Sequence, residues 1–294
     1  MPPPSRLYAS LAIALLCLVW GSTWYGIRVC IYLEQQPPLT SAAVRFLIAA
    51  LAMAAVTPVL RRHENAPPPK AWLWVTAGLT NFSGCYGILY VTERVVPSGP
   101  AAVLWGIFPL LMATSGMLFL GERLRPRQIV GTLLAFAGIV TVFGGNLGDL
   151  DSGNLGYSLL LLTSPIVSTI GTTLVKRFGS GSSSLLLNRN GMLLGSAVLA
   201  ALAFSFERPT DMTWTVRGVL ALGYLALLGT TMTFGIYFWL LRTTPASRLS
   251  LITYVTPVIA MLLGSATGDG VMDGFAWGGT ALVVSGIVLV VTRR

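Results

Sequence analysis

Long apolar stretches alternate with short polar connections along the entire chain. Most of these stretches hold about 20 residues, the length at which an α-helix crosses the hydrocarbon of a bilayer with its peptide groups hydrogen-bonded internally. Proline clusters such as Pro37-Pro38 and Pro67-Pro68-Pro69 separate some of them. The pattern predicts an all-α membrane protein with ten transmembrane helices, at residues 7–30, 40–60, 71–91, 98–120, 127–145, 155–175, 184–206, 216–241, 248–267 and 275–292.

The second half of the chain repeats the first at a fixed separation. Residues 79–145 align without a gap with the segment 148 positions later. Residues that distort or pack helices coincide in this alignment: Pro97 with Pro245, Pro109 with Pro257, Gly131 with Gly279, and Gly138 with Gly286. We therefore expect two five-helix repeats, over residues 1–148 and 149–294. Because five is an odd number of spans, the second repeat is inserted upside down, as in alternating-access carriers.

Composition agrees with a membrane protein, and the distribution of charge predicts its orientation. Hydrophobic residues make up 54 % and charged residues 10 % of the 294 positions, whereas soluble domains are about 25 % charged. With a cytoplasmic amino terminus, thirteen of the 19 Lys and Arg residues fall inside, and three, Arg94, Arg208 and Arg217, fall outside. The positive-inside rule then predicts that both termini are cytoplasmic. The net charge of +9 follows from this topology and does not argue for nucleic-acid binding.

Several short motifs carry a resemblance to a known family. They are Val19-Trp20-Gly21-Ser22-Thr23-Trp24, Val44-Arg45-Phe46-Leu47, Pro109, and Leu120-Gly121-Glu122-Arg123-Leu124 before Gly131, with Pro257 and a variant Gly268-Asp269 in the second half. On these residues the chain resembles the EamA-type members of the drug/metabolite transporter superfamily. The resemblance implies ten helices in two inverted repeats around a central cavity, and usually metabolite export. Among the branches, the chain is most similar to exporters of aromatic and other neutral amino acids.

Aromatic and amide side chains inside the predicted spans are the candidates for substrate binding. Tyr86 belongs to a stripe of aromatic residues spaced by four in helix three, which is one helical face. Tyr and Trp offer an apolar ring and one hydrogen-bonding group, which suits a neutral amphiphile. The predicted substrate site is Asn81, Tyr86, Trp105, Tyr237 and Tyr254. The alternative is that such residues pack helices or form belts at the membrane interface.

Arg28, Arg45 and Arg189 are the charged residues inside the predicted spans. Their long side chains either snorkel to the interface or lock helices together, and the alternative is that one of them attracts a substrate carboxylate. No acidic residue lies near the middle of a predicted span. We therefore favour facilitated exchange or downhill export over proton antiport through a buried carboxylate.

Proline and glycine residues are the candidate moving parts. Pro109, Pro165 and Pro257 each remove a backbone donor, and we expect them to kink the helices that gate the cavity. Gly131 and Gly138, with their repeat partners, recur at seven-residue spacing in helices five and ten. Close helix approach is their expected role.

The sequence lacks the motifs of enzymes and metal sites. There is no H-E-x-x-H, no G-x-S-x-G and no phosphate-binding loop, and the three cysteines have no C-x-x-C spacing. We therefore expect no enzymatic activity, cofactor or metal, and the predicted partners are a small-molecule substrate and the lipid bilayer, with monomer and homodimer both open. The predicted function is export of small neutral amphiphiles, in particular aromatic or large neutral amino acids, across the bacterial inner membrane by alternating access. The alternatives are a carrier of anionic metabolites, such as nucleotide sugars or sugar phosphates, that uses Arg45, Arg189 or Lys176, and a membrane scaffold that transports nothing.

Overall fold

The apolar stretches form helices in the structure, a computed structural model that describes residues 6–64, 66–96, 98–142, 155–266 and 274–292. No strand occurs within these ranges. Helical segments that are continuous, or separated by a two-residue break, share one label. The first half contains α1 (Arg6–Arg28, then π-helical Val29–Leu33), α2 (Pro38–Glu64), α3 (Ala71–Ala77, π-helical Gly78–Gly84, then Cys85–Thr92), α4 (Ser98–Trp105 and Phe108–Phe119) and α5 (Pro126–Val142).

The second half has a matching order of helices. It contains α6 (Leu155–Phe178), α7 (Ser184–Phe206), a 3-10 turn (Pro209–Asp211), α8 (Val216–Ala226, π-helical Leu227–Met232, then Thr233–Leu241), α9 (Ala246–Leu249 and Ile252–Ala266) and α10 (Gly274–Val291). Ser183 and Thr215 begin α7 and α8 as N-caps, since their side chains accept the N–H of Leu186 and Gly218.

Six helices within the described ranges are long and apolar enough to cross a membrane. They are Leu7–Leu33, Pro38–Arg62, Leu155–Phe178, Ser184–Phe206, Val216–Leu241 and Gly274–Val291. Three further apolar helices are shorter, at Val103–Phe119, Pro126–Val142 and Ala246–Leu262. The protein is therefore a multi-pass membrane protein.

Two π-helical segments occupy matching places in α3 and α8. In each, a hydroxyl donates to the carbonyl five residues earlier: Ser83 Oγ to Gly78 O at 2.9 Å, and Thr231 Oγ1 to Ala226 O at 3.0 Å. These bonds follow the wider turn of a π-helix, in which the backbone also bonds five residues apart. Ser83 and Thr231 are 148 positions apart, the separation of the sequence repeat.

Helices α5 and α10 form a close antiparallel pair through glycine. A Cβ added at Gly131 would lie 2.6 Å from Gly286 O, and one added at Gly279 would lie 2.6 Å from Gly138 O. The pair is antiparallel because the earlier glycine of each helix faces the later glycine of the other. Neither contact leaves room for a side chain, as expected where membrane helices pack through small residues.

Helices α2 and α7 are joined at both ends by carboxylates. Glu207, just after α7, accepts the N–H groups of Leu39 and Thr40 in the first turn of α2, at 2.7 and 2.9 Å. Glu64, the last residue of α2, accepts the N–H of Ser184 in the first turn of α7 at 2.7 Å. Each helix end thus satisfies backbone donors of the other and places a negative charge at the positive end of its dipole.

The Gly121-Glu122 motif links α4 to the start of α9. Gly121 has φ +66°, a left-handed conformation that suits glycine and ends α4, and Glu122 N donates to Gly116 O at 2.9 Å. The Glu122 carboxylate then accepts Ala246 N at 2.6 Å and Ser247 N at 3.2 Å. The corresponding Gly268-Asp269 lies outside the described residues.

Candidate substrate-binding site

A cavity of about 110 Å³ lies between α1, α3, α4, α6, α8 and α9. Aromatic rings, small hydroxyl side chains and one amide form most of its wall. The lining includes Trp20, Trp24, Asn81, Tyr86, Trp105, Phe108, Ser168, Thr172, Phe234 and Tyr237. None of the described lining residues is Asp, Glu, Lys, Arg or His. The cavity is large enough for several water molecules, and the described part of its wall is amphipathic and carries no formal charge.

Four of the five predicted substrate residues meet at this cavity: Asn81, Tyr86, Trp105 and Tyr237. Tyr254 lies elsewhere. It is fully buried in a second apolar cluster between α4, α5, α9 and α10. Its neighbours in that cluster include Val103, Ala135, Ile139 and Val283.

Three hydrogen-bond donors at the cavity have no partner within the described part of the chain. They are Trp20 Nε1, Asn81 Nδ2 and the Tyr237 hydroxyl, and all three atoms are buried. A buried donor without a partner costs about 1–3 kcal/mol. A ligand that accepts hydrogen bonds would remove this cost, which makes these atoms candidates for the polar part of a binding site.

The amide of Asn81 is held in place by α6. Its Oδ1 accepts Ser168 Oγ at 3.1 Å and Thr172 Oγ1 at 3.2 Å, which leaves Nδ2 as the free end. Gly171 allows this approach, because a Cβ there would collide with the side chains of Thr80 and Asn81. The Thr172 hydroxyl donates to Asn81 and also lies near Tyr237, whose own hydroxyl makes no hydrogen bond within the described residues.

Several of the aromatic rings at the cavity form one connected group. Trp20 lies 5.3 Å from Tyr237 and 5.5 Å from Phe234 between ring centroids, and Tyr86 lies 6.1 Å from Phe234. Trp105 Nε1 donates to Ser164 Oγ at 3.2 Å. Trp105 therefore has its N–H satisfied within the protein and offers the cavity its ring.

Arg45 lies behind the cavity wall and is fully buried. It donates from Nε to Thr230 Oγ1 at 2.8 Å, from Nη1 to the Tyr90 hydroxyl at 3.0 Å, and from Nη2 to Gly229 O at 3.3 Å. Its guanidinium carbon is 4.9 Å from the ring centroid of Tyr86. The arginine thus joins α2 to α3 and to the π-helical segment of α8, and it supports Tyr86 by a cation–π contact.

The other two intramembrane arginines do not line the cavity. Arg28, the last residue of the α-helical part of α1, lies over the ring of Tyr32 at 5.9 Å. Arg189 Nε donates to Asn190 Oδ1 at 3.0 Å. Both are partly buried.

The three predicted hinge prolines lie in helices that bound the cavity. Pro165 is inside α6, and Pro257 is inside the longer segment of α9. Pro109 is the second residue of Phe108–Phe119, so the break in α4 at Gly106-Ile107 comes just before it. The structure therefore divides α4 at a point where the sequence predicts one continuous helix.

Ser164, Ser168 and Thr172 are absent from the predicted site residues. They are spaced by four along α6, so they lie on one face of that helix. That spacing is the signal that would have identified them. Trp20 is also absent from the predicted substrate residues, although it lies in one of the family motifs.

A sequence profile of the EamA-like transporter family matches residues 7–144 and again residues 155–292. The chain belongs to this family. The resemblance to EamA-type drug/metabolite transporters is thereby confirmed, and the protein is a membrane transporter and not an enzyme. As a transporter, it has the lipid bilayer and a small-molecule substrate as its partners.

Several relatives of this EamA protein have transporter names. It is 31 % identical over 281 residues to the Escherichia coli K12 protein named uncharacterized inner membrane transporter YedA, covering 95 % of this chain and 89 % of the relative. It is 25 % identical over 254 residues to the uncharacterized transporter YoaV of Bacillus subtilis, covering 86 % of each chain. A solved crystal structure superposes with a TM-score of 0.83 over 98 % of both chains, at 20 % identity. At that identity the likeness shows the fold alone.

Proposed function

We propose that the protein exports neutral amphiphilic metabolites across the bacterial inner membrane by alternating access, with aromatic and other large neutral amino acids as the substrate class. The observation that carries this proposal is the uncharged aromatic cavity with three unpartnered donors. The inner-membrane location is supported by the apolar helices and by the name of the relative YedA.

The chemistry of the cavity fits a zwitterionic amino acid with a large side chain. Asn81 Nδ2, Trp20 Nε1 and the Tyr237 hydroxyl are donors for a carboxylate. The ring of Trp105 offers apolar contact for the side chain, and the ammonium group is stabilised over an aromatic face. Because the described wall has no formal charge, a substrate with zero net charge enters without leaving a charge unbalanced.

The helix contacts support two inverted repeats. Each helix of one half corresponds to the helix numbered five higher or five lower in the other half. Under this correspondence the α1–α9 pair becomes α6–α4, α3–α7 becomes α8–α2, and α3–α6 becomes α8–α1. All six pairs are in contact. The α5–α10 and α2–α7 pairs map onto themselves. Since both self-paired contacts are antiparallel, the relating axis runs perpendicular to the helices and therefore in the membrane plane. We therefore propose ten crossings, repeats over residues 1–148 and 149–294, and cytoplasmic termini.

The breaks in α4 and α9 do not obey this symmetry, as expected if the structure represents one of the two conformational states of a carrier. The break in α4 is at residues 106–107, which correspond to 254–255 after a shift of 148, but α9 breaks at 250–251. Equivalent helices thus bend at different points. We propose that these bends exchange between inward- and outward-open states, with Pro109, Pro165 and Pro257 as hinge residues.

Counterflow in proteoliposomes tests the substrate class. Purified protein is loaded with unlabelled phenylalanine or tryptophan, and uptake of the labelled amino acid is compared with that of lysine, glutamate, a sugar phosphate and a nucleotide sugar. We expect saturable exchange for the large neutral amino acids. Exchange of the anionic solutes alone would favour the anionic-metabolite alternative. Failure of every solute to exchange would overturn the proposed substrate class.

The structure offers less to an anionic substrate. Arg45 is committed to Thr230, Tyr90 and Gly229. Lys176 Nζ donates to the carbonyls of Leu241 and Thr244. Family membership sets aside the scaffold alternative, since the protein is a transporter.

A further inference from the structure

A second pocket, of about 540 Å³, opens where α4 ends, α5 and α9 begin, and α10 ends. Four arginines line it: Arg123, Arg125, Arg127 and Arg248. The positive-inside prediction assigns this end of the bundle to the cytoplasm. Basic residues at that surface are ordinary, so their presence alone assigns no ligand.

Two of these arginines have donors that the described part of the chain leaves unused. Arg127 Nε and Arg248 Nε are buried and have no hydrogen-bond partner there. They belong to opposite halves of the protein, one at the start of α5 and the other in the first segment of α9. Buried guanidinium donors that converge on one pocket from separate helices fit an acceptor with several oxygens.

The acidic residue in the pocket is already engaged. Glu122 accepts Ala246 N and Ser247 N, and it also bonds the Ser247 hydroxyl. Its charge is directed to the start of α9. The first turn of α5 adds the partial positive charge of a helix N-terminus. The pocket therefore keeps a positive potential that attracts an anion.

An apolar groove continues from the pocket along α10. It has a volume of about 440 Å³ and shares Arg127 with the pocket, and Val284, Val288 and Leu289 are among its lining residues. The side chains of Val284 and Val288 are 54 % and 56 % exposed. A ligand that follows both surfaces has an anionic head and a hydrocarbon chain.

We propose that this pocket and groove bind an anionic phospholipid of the phosphatidylglycerol type. Its phosphodiester oxygens accept hydrogen bonds from Arg127 and Arg248, and one acyl chain lies along α10 in the groove. A zwitterionic lipid would bring an ammonium group toward four arginines and bind more weakly. Because the two arginines come from different halves, the bound lipid bridges the repeats.

Titration of the purified full chain with short-chain dioctanoyl-phosphatidylglycerol tests the site, with native mass spectrometry and the Tm as readouts. We expect saturable binding, and a loss of affinity of about tenfold or more in the double variant R127Q/R248Q. The matched control is R61Q/R62Q, which removes two exposed arginines from the end of α2. The control should bind as the native chain does.

Three outcomes would overturn the proposal. One is an equal loss of affinity in the control, which would mean that general surface charge accounts for binding. Another is equal binding of dioctanoyl-phosphatidylcholine. The third is complete displacement of the lipid by an equal concentration of inorganic phosphate, which would assign the arginines to a free anion. If the double variant does not fold, the single variant R127K removes the buried Nε donor but keeps the charge, and unchanged affinity in R127K would also overturn it.

Discussion

At the scale of single residues, the hydroxyl oxygen of Tyr237 can be tested for a role in ligand binding that is distinct from a role in stability. Its hydroxyl is buried at the cavity and lacks a partner within the described residues. The Tyr90 hydroxyl, by contrast, accepts a hydrogen bond from Arg45 at 3.0 Å. Both tyrosines lie in helices that flank the cavity. Removing the hydroxyl oxygen is therefore expected to weaken substrate binding at Tyr237 and to lower stability at Tyr90.

We predict that Tyr237→Phe leaves the Tm unchanged or slightly raised, because no hydrogen bond within the described chain is lost. Apparent affinity for substrate in counterflow should fall about 10-fold to 150-fold, because a hydrogen bond to a charged acceptor contributes about 1.5–3 kcal/mol. Tyr90→Phe is the control and should lower the Tm, because it leaves a buried guanidinium donor unpaired. Normal transport by Tyr237→Phe would contradict the assigned role.

Glu93 lies in the turn after α3. Its carboxyl oxygen Oε1 is buried and has no hydrogen-bond partner among the described residues. Burial raises the pKa of Glu93 to about 8, although the guanidinium of Arg45 acts in the opposite direction. The folded protein therefore keeps this proton up to about pH 8, while an unfolded glutamate loses it near pH 4.5. Between these values the folded state binds more protons, so stability falls as pH rises.

Thermal unfolding measured from about pH 5 to about pH 9 should show this decline, and Glu93→Gln should flatten it. Glu34→Gln serves as the control. Hydrogen bonds from Thr215 and Arg217 lower the pKa of Glu34 below 4.5, so its contribution is lost only at more acidic pH. An unchanged slope in Glu93→Gln would show that the carboxyl is ionised in the folded protein.

At the scale of helices, adjacent glycines in α10 have different surroundings. A Cβ at Gly279 would lie 2.5 Å from Val142 N and 2.6 Å from Gly138 O. A Cβ at Gly278 would meet nothing within 4 Å. Of these two adjacent residues, the α5–α10 contact therefore requires glycine at position 279 but not at position 278.

Gly279→Ala should destabilise the protein by about 1–3 kcal/mol, because two backbones must separate to admit the methyl group. Gly278→Ala should be neutral or stabilising, since alanine is the better helix former. Thermal unfolding of the two variants in one detergent compares them directly. Equal Tm values would show that α5 and α10 are not in close contact.

At the scale of the whole molecule, the two halves cap each other's helix ends and pack closely against each other. Glu64 and Glu207 cap opposite ends of the α2–α7 pair, and the glycines of α5 and α10 face one another across the second self-paired contact. The proposed inverted repeats would place the exposed ends of α2 and α6 on one side of the membrane. The connection between α7 and α8 then lies on the other side.

Accessibility of single cysteines tests this topology in a variant lacking Cys17, Cys30 and Cys85. With an impermeant thiol reagent, Thr213→Cys should label in intact cells. Arg61→Cys and Ser180→Cys should label only after permeabilisation, because the positive-inside rule places them in the cytoplasm. Labelling of Arg61→Cys and Ser180→Cys from different sides would rule out the inverted arrangement.

The sequence by itself determined the features that depend on local composition or on a fixed separation along the chain. Apolar runs of sufficient length form helices because a bilayer leaves peptide groups no other partner. The shift of 148 positions also paired the glycines that face one another in α5 and α10. The short motifs predicted the family. These features can be predicted without knowing the direction in which each side chain points.

Tertiary structure decided which side chains share the cavity. A membrane helix that is apolar on all sides carries little periodic signal of its rotation, so packing sets the direction of each face. Tyr254 follows the break at 250–251 in α9, where helical phase cannot be counted from the preceding turn, and it points into the second cluster. Trp20, Asn81 and Tyr237 come from helices far apart in the chain, and only the packing of α1, α3 and α8 brings their unpartnered donors together.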